Sequence, residues 1–180
     1  MKIRILIAGI TPLLMNKYYE PTEAISEPKL EAENHAYRNQ DSNELEMPYI
    51  NLLSCLKSAG KNFKVFCSDK DFEYKSILPA AVNYAEETIS LNTTKYVIDS
   101  RQVRCRKTSE RILRHRPKIL NWKMTFEIEL NERLLSEEIL HELFDYAGSV
   151  IGIGEFRPEK NGPFGKFKVE DWIISKSKTQ

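Results

Sequence analysis

His35, Tyr37 and Asp41 fall close together in NHAYRNQD, inside an acidic stretch, and are of the types suited to acid–base chemistry. A loop histidine with a tyrosine or carboxylate beside it could take a proton from a hydroxyl and return one to a leaving oxygen without a metal. An ordinary surface histidine is the alternative for His35. His141, in HELF, reads as a helix-boundary residue, and His115, between Arg114 and Arg116, suits contact with RNA better than base chemistry. Nothing in the chain resembles a Ser-His-Asp setting, a His-x-Glu zinc deaminase motif or an EF-hand loop. The three cysteines, Cys55, Cys67 and Cys105, are odd in number and form no CxxC, which argues against a disulfide framework or a zinc site and for reduced thiols in a cytoplasmic compartment. The residues call for no metal and no cofactor.

Binding chemistry is better represented. RQVRCRKTSERILRHRPK, residues 101–118, carries Arg101, Arg104, Arg106, Lys107, Arg111, Arg114, Arg116 and Lys118 against a single acid, Glu110. Residues 18–48 hold eight acids, with only Lys29, Arg38 and His35 as bases. A net charge of +1 conceals this separation, which sets up a local field. On a single strand each neutralised phosphate lowers the slope of log K against log salt by roughly 0.7, so about four to six contacts predict a slope near −3 to −4. Opposite-sign surfaces on one molecule also favour head-to-tail self-association.

The second binding feature is GSVIGIGEFRPEKNGPFGKFKV, residues 148–169, which holds five of the seven glycines. A Rossmann fingerprint would follow a strand and open a helix, and a P-loop needs G-x-x-x-x-G-K-[ST]; neither fits. A glycine-bearing turn is the plain structural reading. Gly152, Gly154, Gly162 and Gly165 would also let backbone approach a ligand closely. Arg157, Lys160 and Lys166 offer charge, and Phe156 and Phe164 offer stacking faces, a combination suited to single-stranded nucleic acid.

These segments need a scaffold. KIRILIAG alternates as a half-buried strand, not as a signal peptide, and no apolar run approaches the length of a membrane span. Residues 16–46 read as a long loop or insertion. INLLSCLKSAGKNF predicts a helix with Leu52, Leu53, Leu56, Ala59 and Phe63 on one face, capped by Asn51. A short helix is expected around LPAAVNYAEE. KYVIDSRQVRCR reads as a strand entering the basic run, and KMTFEIEL as the clearest strand of all. SEEILHELFDYAG predicts a helix capped by Ser136, ended by Gly148, and burying Ile139, Leu140, Leu143, Phe144 and Ala147. GKFKVEDWII is a last strand. The order βαββαβ predicts an α+β, ferredoxin-like or RRM antiparallel sheet in one domain over 1–180, with insertions after strand 1 and around strand 2, at about 16–46 and 64–118.

Three segments together resemble the RAMP superfamily of CRISPR-associated RNA-binding proteins. GPFGKFKV, 162–169, is similar to that superfamily's glycine-rich ending before the last strand. MPYINLLSCLKSAG, 47–60, is similar to its first-helix segment, with Ser54, Leu56 and Lys57 in the matching places. YVIDSRQVRCRKTSERILRHRPKILNWKMTFEIEL, 96–130, resembles the central strand, hairpin "thumb" and following strand of CRISPR backbone subunits. Asn51-Leu52 stands where a Pro-Gly is common, and Asp99-Ser100-Arg101 replaces Asp-Arg. The resemblance implies a backbone-type subunit that binds guide RNA and assembles with itself or other CRISPR-type subunits, with no chemistry of its own. Lys57, the basic run with His115, and the glycine loop would make the RNA contacts. It also admits a metal-independent endoribonuclease, in which Asp41 occupies the region of a cleaving aspartate, or a lone phage-borne relative that mimics or binds a CRISPR subunit.

Overall fold

A computed structural model of the chain describes residues 1–19, 27–62, 74–104 and 110–175. Phe63, Cys67, Cys105, Arg106 and Lys107 lie outside the described residues.

Strand β1 (Lys2–Gly9) buries Ile3, Ile5 and Ile7 completely while its polar positions face outward, the result of a period of two. It is flanked by two antiparallel partners, β8 (Lys123–Leu130) and β9 (Phe167–Ser175), with Ile5 opposite both Phe126 and Trp172. The short β4 (Val82–Tyr84) adds to the far side of β8, so the strand order is β4-β8-β1-β9. The buried face packs with α2 (Tyr49–Asn62) and α4 (Glu137–Tyr146), joining Leu52, Leu56, Leu140, Leu143 and Phe144 in one core with Met124, Phe126 and Ile128. The opposite face presents Lys2, Arg4, Leu6, Thr125, Glu127 and Glu129, and no aromatic side chain among its described residues. That bare face lacks the stacking platform by which an open sheet reads bases.

A second sheet, ordered β2-β7-β6, stands apart from the first: β2 (Leu13–Leu14), β7 (Arg111–Ile119) and β6 (Val97–Arg104). A third pairs β3 (Glu46–Pro48) with β5 (Thr88–Ser90). The architecture is mixed α+β with antiparallel sheets, and no described helix is long and apolar enough to cross a membrane.

Several local expectations need correction. Residues 16–46 are not all loop: Pro28 opens α1 (Pro28–Asn34), and Arg38 bridges to Leu45. Helix α2 starts at Tyr49, directly after β3, so Asn51 lies inside it and its amide meets Met47 Sδ instead of capping. The helix expected around LPAAVNYAEE runs earlier, as α3 (Tyr74–Ala81), because Val82–Tyr84 are taken up in pairing with β8. Ser136 caps α4 as expected, its hydroxyl accepting from Ile139 N. Gly148 does not end that helix: the chain continues through a π-turn, Ala147–Ile151, to Gly152.

Candidate nucleic-acid interface

Residues directly opposite each other in an antiparallel pair share a face. Asp99 is opposite Arg116 and Arg101 opposite Arg114, so these four project from one side of the β6–β7 ribbon. Ser100 with His115, and Arg104 with Arg111, project from the other, where the Ser100 hydroxyl lies 2.7 Å from His115 Nδ1. The basic run is thus two surfaces, split by the pleat.

The first surface meets the glycine-rich loop. The Arg101 guanidinium lies 4.7 Å from the Phe164 ring centre and 5.5 Å from that of Phe156. Arg116 faces Glu155 at 3.8 Å, and Arg114 donates to Glu31 of α1 at 3.0 Å. Between loop and α2 is a cavity of about 170 Å³ lined by Asn51, Ser54, Gly152, Gly154 and Arg157 among others. Between the ribbon and residues 16–19 is one of about 350 Å³, with His35, Arg114 and Arg116 in its wall. Asn16 and Glu155 line both, so the two form adjoining halves of one groove.

Most of the guanidinium groups expected to be open to phosphate are already engaged. Arg101 makes a bidentate pair with Asp99, at 2.6 and 3.0 Å, and Lys118 approaches the same carboxylate at 3.7 Å. Arg157 donates to Glu159 at 2.6 Å and to the Gly154 carbonyl at 3.0 Å. Phe164 is buried beneath Arg101, so no base can stack on it while that arginine stays in place. Arg104 and Arg111 are exposed and have no ion pair among the described residues, and neither do Lys57 or Lys166. The close approach that the glycines permit is met by the chain itself. A Cβ on Gly162 would sit 1.8 Å from the Phe156 carbonyl oxygen, and one on Gly165 1.8 Å from that of Ile153. Gly152 and Gly154 are crowded by Pro158 and by Leu13 and Leu14.

Burial tunes the groups around the groove. It pushes the Cys55 thiol up to about 12, and that thiol donates to the Gly152 carbonyl at 3.1 Å, tying α2 to the loop. Burial also weakens the basicity of Arg116, with Glu155 and Asp99 acting the other way. Burial alone would raise Glu159, but hydrogen bonds from Ser58 and Arg157 hold it below the usual carboxylate range.

The residues proposed for acid–base work do not converge. His35 is buried, its Nδ1–H donating to the Lys17 carbonyl at 2.9 Å, and it lines the larger cavity; Tyr37 lines the smaller one. Asp41 is exposed in a turn held by Asn39. Burial is the main cause lowering the His35 pKa, with the Lys17 hydrogen bond acting against it. A lowered histidine binds its proton more readily unfolded, so stability should decline as pH falls below about 6.5. In urea titrations at a series of pH values, His35→Gln should flatten that decline, and an unchanged slope would exclude His35 as its source.

No protein-family model matches the chain, and no curated protein matches it by sequence. Its fold is similar to that of a chain in the cryo-EM structure of the Type III-B Cmr-beta bound to cognate target RNA, with a TM-score of 0.56 and 12% identity. The likeness covers 96% of this chain and 59% of that one, so the present chain spans well under two thirds of its neighbour.

The counter-ions Asp99, Glu31, Glu155 and Glu159 were not among the expected site residues. Asp99 was legible as an i, i+2 neighbour of Arg101 on one strand face. Glu31 and Glu155 reach the ribbon from distant segments and left no local signal.

Proposed function

We propose that the chain is a RAMP-like RNA-binding protein, a backbone-type subunit of a CRISPR-type ribonucleoprotein that holds guide RNA between the β6–β7 ribbon and the glycine-rich loop. The observation that carries this reading is the meeting of those two segments around one groove, on a fold similar to a chain of an RNA-bound assembly. The strand order β4-β8-β1-β9, with α2 and α4 against one face, supports a ferredoxin-like scaffold in a single domain over 1–180. The ribbon corresponds to the "thumb" and lies within the insertion expected at 64–118. RNA runs along the groove and on around the end of the ribbon, where Arg104 and Arg111 of its other face supply phosphate contacts together with Arg106 and Lys107; Lys57 and Lys166, like those two arginines without an ion pair among the described residues, add charge beside the loop. Arg101, Arg114, Arg116 and Arg157 contribute by exchanging a carboxylate for a phosphate. The glycines Gly152, Gly154, Gly162 and Gly165 shape the rim, and His115, on the other face of the ribbon, adds to the contacts made there. Assembly with other subunits, or with further copies, places successive grooves along one strand.

The test is fluorescence anisotropy of single-stranded RNA across a salt series. About four contacts give a slope of log K against log salt near −3. Arg104→Glu with Arg111→Glu should weaken binding by about tenfold or more at low salt. A flat salt series, or a double variant that binds like the parent, sinks the proposal.

A further inference from the structure

We propose that the 350 Å³ cavity between the ribbon and residues 16–19 is a one-nucleotide subsite for the phosphorylated end of a strand, with the phosphate on Arg116 and Arg114 in the place now taken by Glu155. This rests on the RNA-binding reading above and assigns one end of the groove.

Two unsatisfied polar side chains line the cavity, both more than nine-tenths buried. Arg116 is 6% exposed, its Nε is buried with no hydrogen-bond partner, and its Nη1 lies 3.8 Å from the Glu155 carboxylate. A buried guanidinium N–H without an acceptor is unfavourable, and an anion entering the cavity supplies one. His35 is 8% exposed, and its Nε2 has no partner while Nδ1 is held by Lys17.

The wall charges favour a terminal phosphate over an internal one. Lys17, Arg114 and Arg116 line the cavity, with Glu31 paired to Arg114 from α1; once a phosphate displaces Glu155, these three cations face it against that one carboxylate, an excess of two positive charges. A phosphate monoester carries about −1.5 to −2 at neutral pH, and an internal diester only one charge. The space agrees, because 350 Å³ is near the small end of ligand pockets, about 300–1,000 Å³, and has room for one nucleotide but not a passing strand. Tyr18 and Tyr19 lie in the same wall and give a base flat surfaces to rest on.

Glu155 behaves as the resident anion. Asn16 donates to its Oε2 at 3.2 Å while Arg116 faces its Oε1, and Glu155 stands where the two cavities join. A strand entering along the smaller cavity reaches that carboxylate first, and its end phosphate takes over the arginine.

The experiment compares one internally labelled single-stranded RNA with a 5′-phosphate, a 3′-phosphate, or hydroxyls at both ends, by anisotropy. The wild type should bind one phosphorylated form about tenfold more tightly than the hydroxyl-ended form. Arg116→Lys should abolish that preference, and Glu155→Gln should enlarge it. Equal affinity of the wild type for all three RNAs overturns the subsite and leaves the RNA-binding reading intact. A different result separates the two readings in the other direction: no RNA binds, yet calorimetry detects adenosine monophosphate binding that Arg116→Lys removes. That pattern supports the cavity as a nucleotide site and overturns the groove.

Discussion

Gly165→Ala should destabilise the chain by about 3 kcal/mol, a large effect for one added methyl group, through left-handed strain and a clash with backbone together. Gly165 has φ +73°, a region costly for any side chain with a Cβ, and that Cβ would sit 1.8 Å from the Ile153 carbonyl oxygen. The residue cannot move away, because its N–H donates to Pro12 O at 2.8 Å while its own carbonyl accepts from Ile153 N at 2.9 Å. Next to it, the Lys166 carbonyl accepts from Ile10 N at 2.7 Å. The segment is therefore held between the end of β1 and the start of the loop. Urea denaturation read by fluorescence measures the loss, and a midpoint matching the wild type would mean that the loop is not clamped in this way.

The expected damage extends to the groove. Phe164 is buried next to Gly165 and supports the Arg101 guanidinium, so displacing Gly165 shifts the surface on which the ribbon rests. The glycines fit a structural role: they let segments of the loop pack against each other, and the shape they produce carries Glu155 and Arg157 to the groove wall.

The parts of the fold that could be read from the sequence are those whose signal is local. KMTFEIEL alternates perfectly, and β8 buries Met124, Phe126, Ile128 and Leu130 while exposing the residues between. Leu52, Leu53, Leu56 and Ala59 on α2, and Leu140, Leu143, Phe144 and Ala147 around α4, are buried as their helical spacing requires. What escaped was set at long range. Arg114 is paired with Glu31, 83 positions earlier in the chain, and Met1 donates its amine to Leu130. The acidic stretch and the basic run, read separately as opposed surfaces, partly neutralise each other within one molecule. Strand pleat did the rest, sending alternate cations to opposite faces of the ribbon. A run of charge shows how many cations are present; pairing register decides which of them remain available.

Asp99 is where that pairing is tightest, and Asp99→Asn should cost about 2 kcal/mol at neutral pH. Removing one partner of a buried pair costs about 3–5 kcal/mol; the lower figure allows for water reaching Arg101, whose side chain is 36% exposed. An asparagine would keep the shape but leave Arg101 and Lys118 without their carboxylate and Arg116 with one anion fewer nearby. Burial alone would raise the Asp99 carboxyl, but the Arg101 hydrogen bonds and charge, with help from Lys118 and Arg116, bring it below its ordinary value. A depressed folded-state pKa contributes stability that is complete above the unfolded value, near 4, and is lost as pH falls through the folded one. The gap between wild type and Asp99→Asn should thus be full at pH 7 and close progressively below pH 4. A gap that stays constant on acidification would show that the substitution acts through packing, and no gap at pH 7 would mean that Arg101 keeps its seat on Phe164 without the carboxylate. In the second case Arg101 would be free to take a phosphate, and RNA affinity of the variant should rise while its stability stays unchanged.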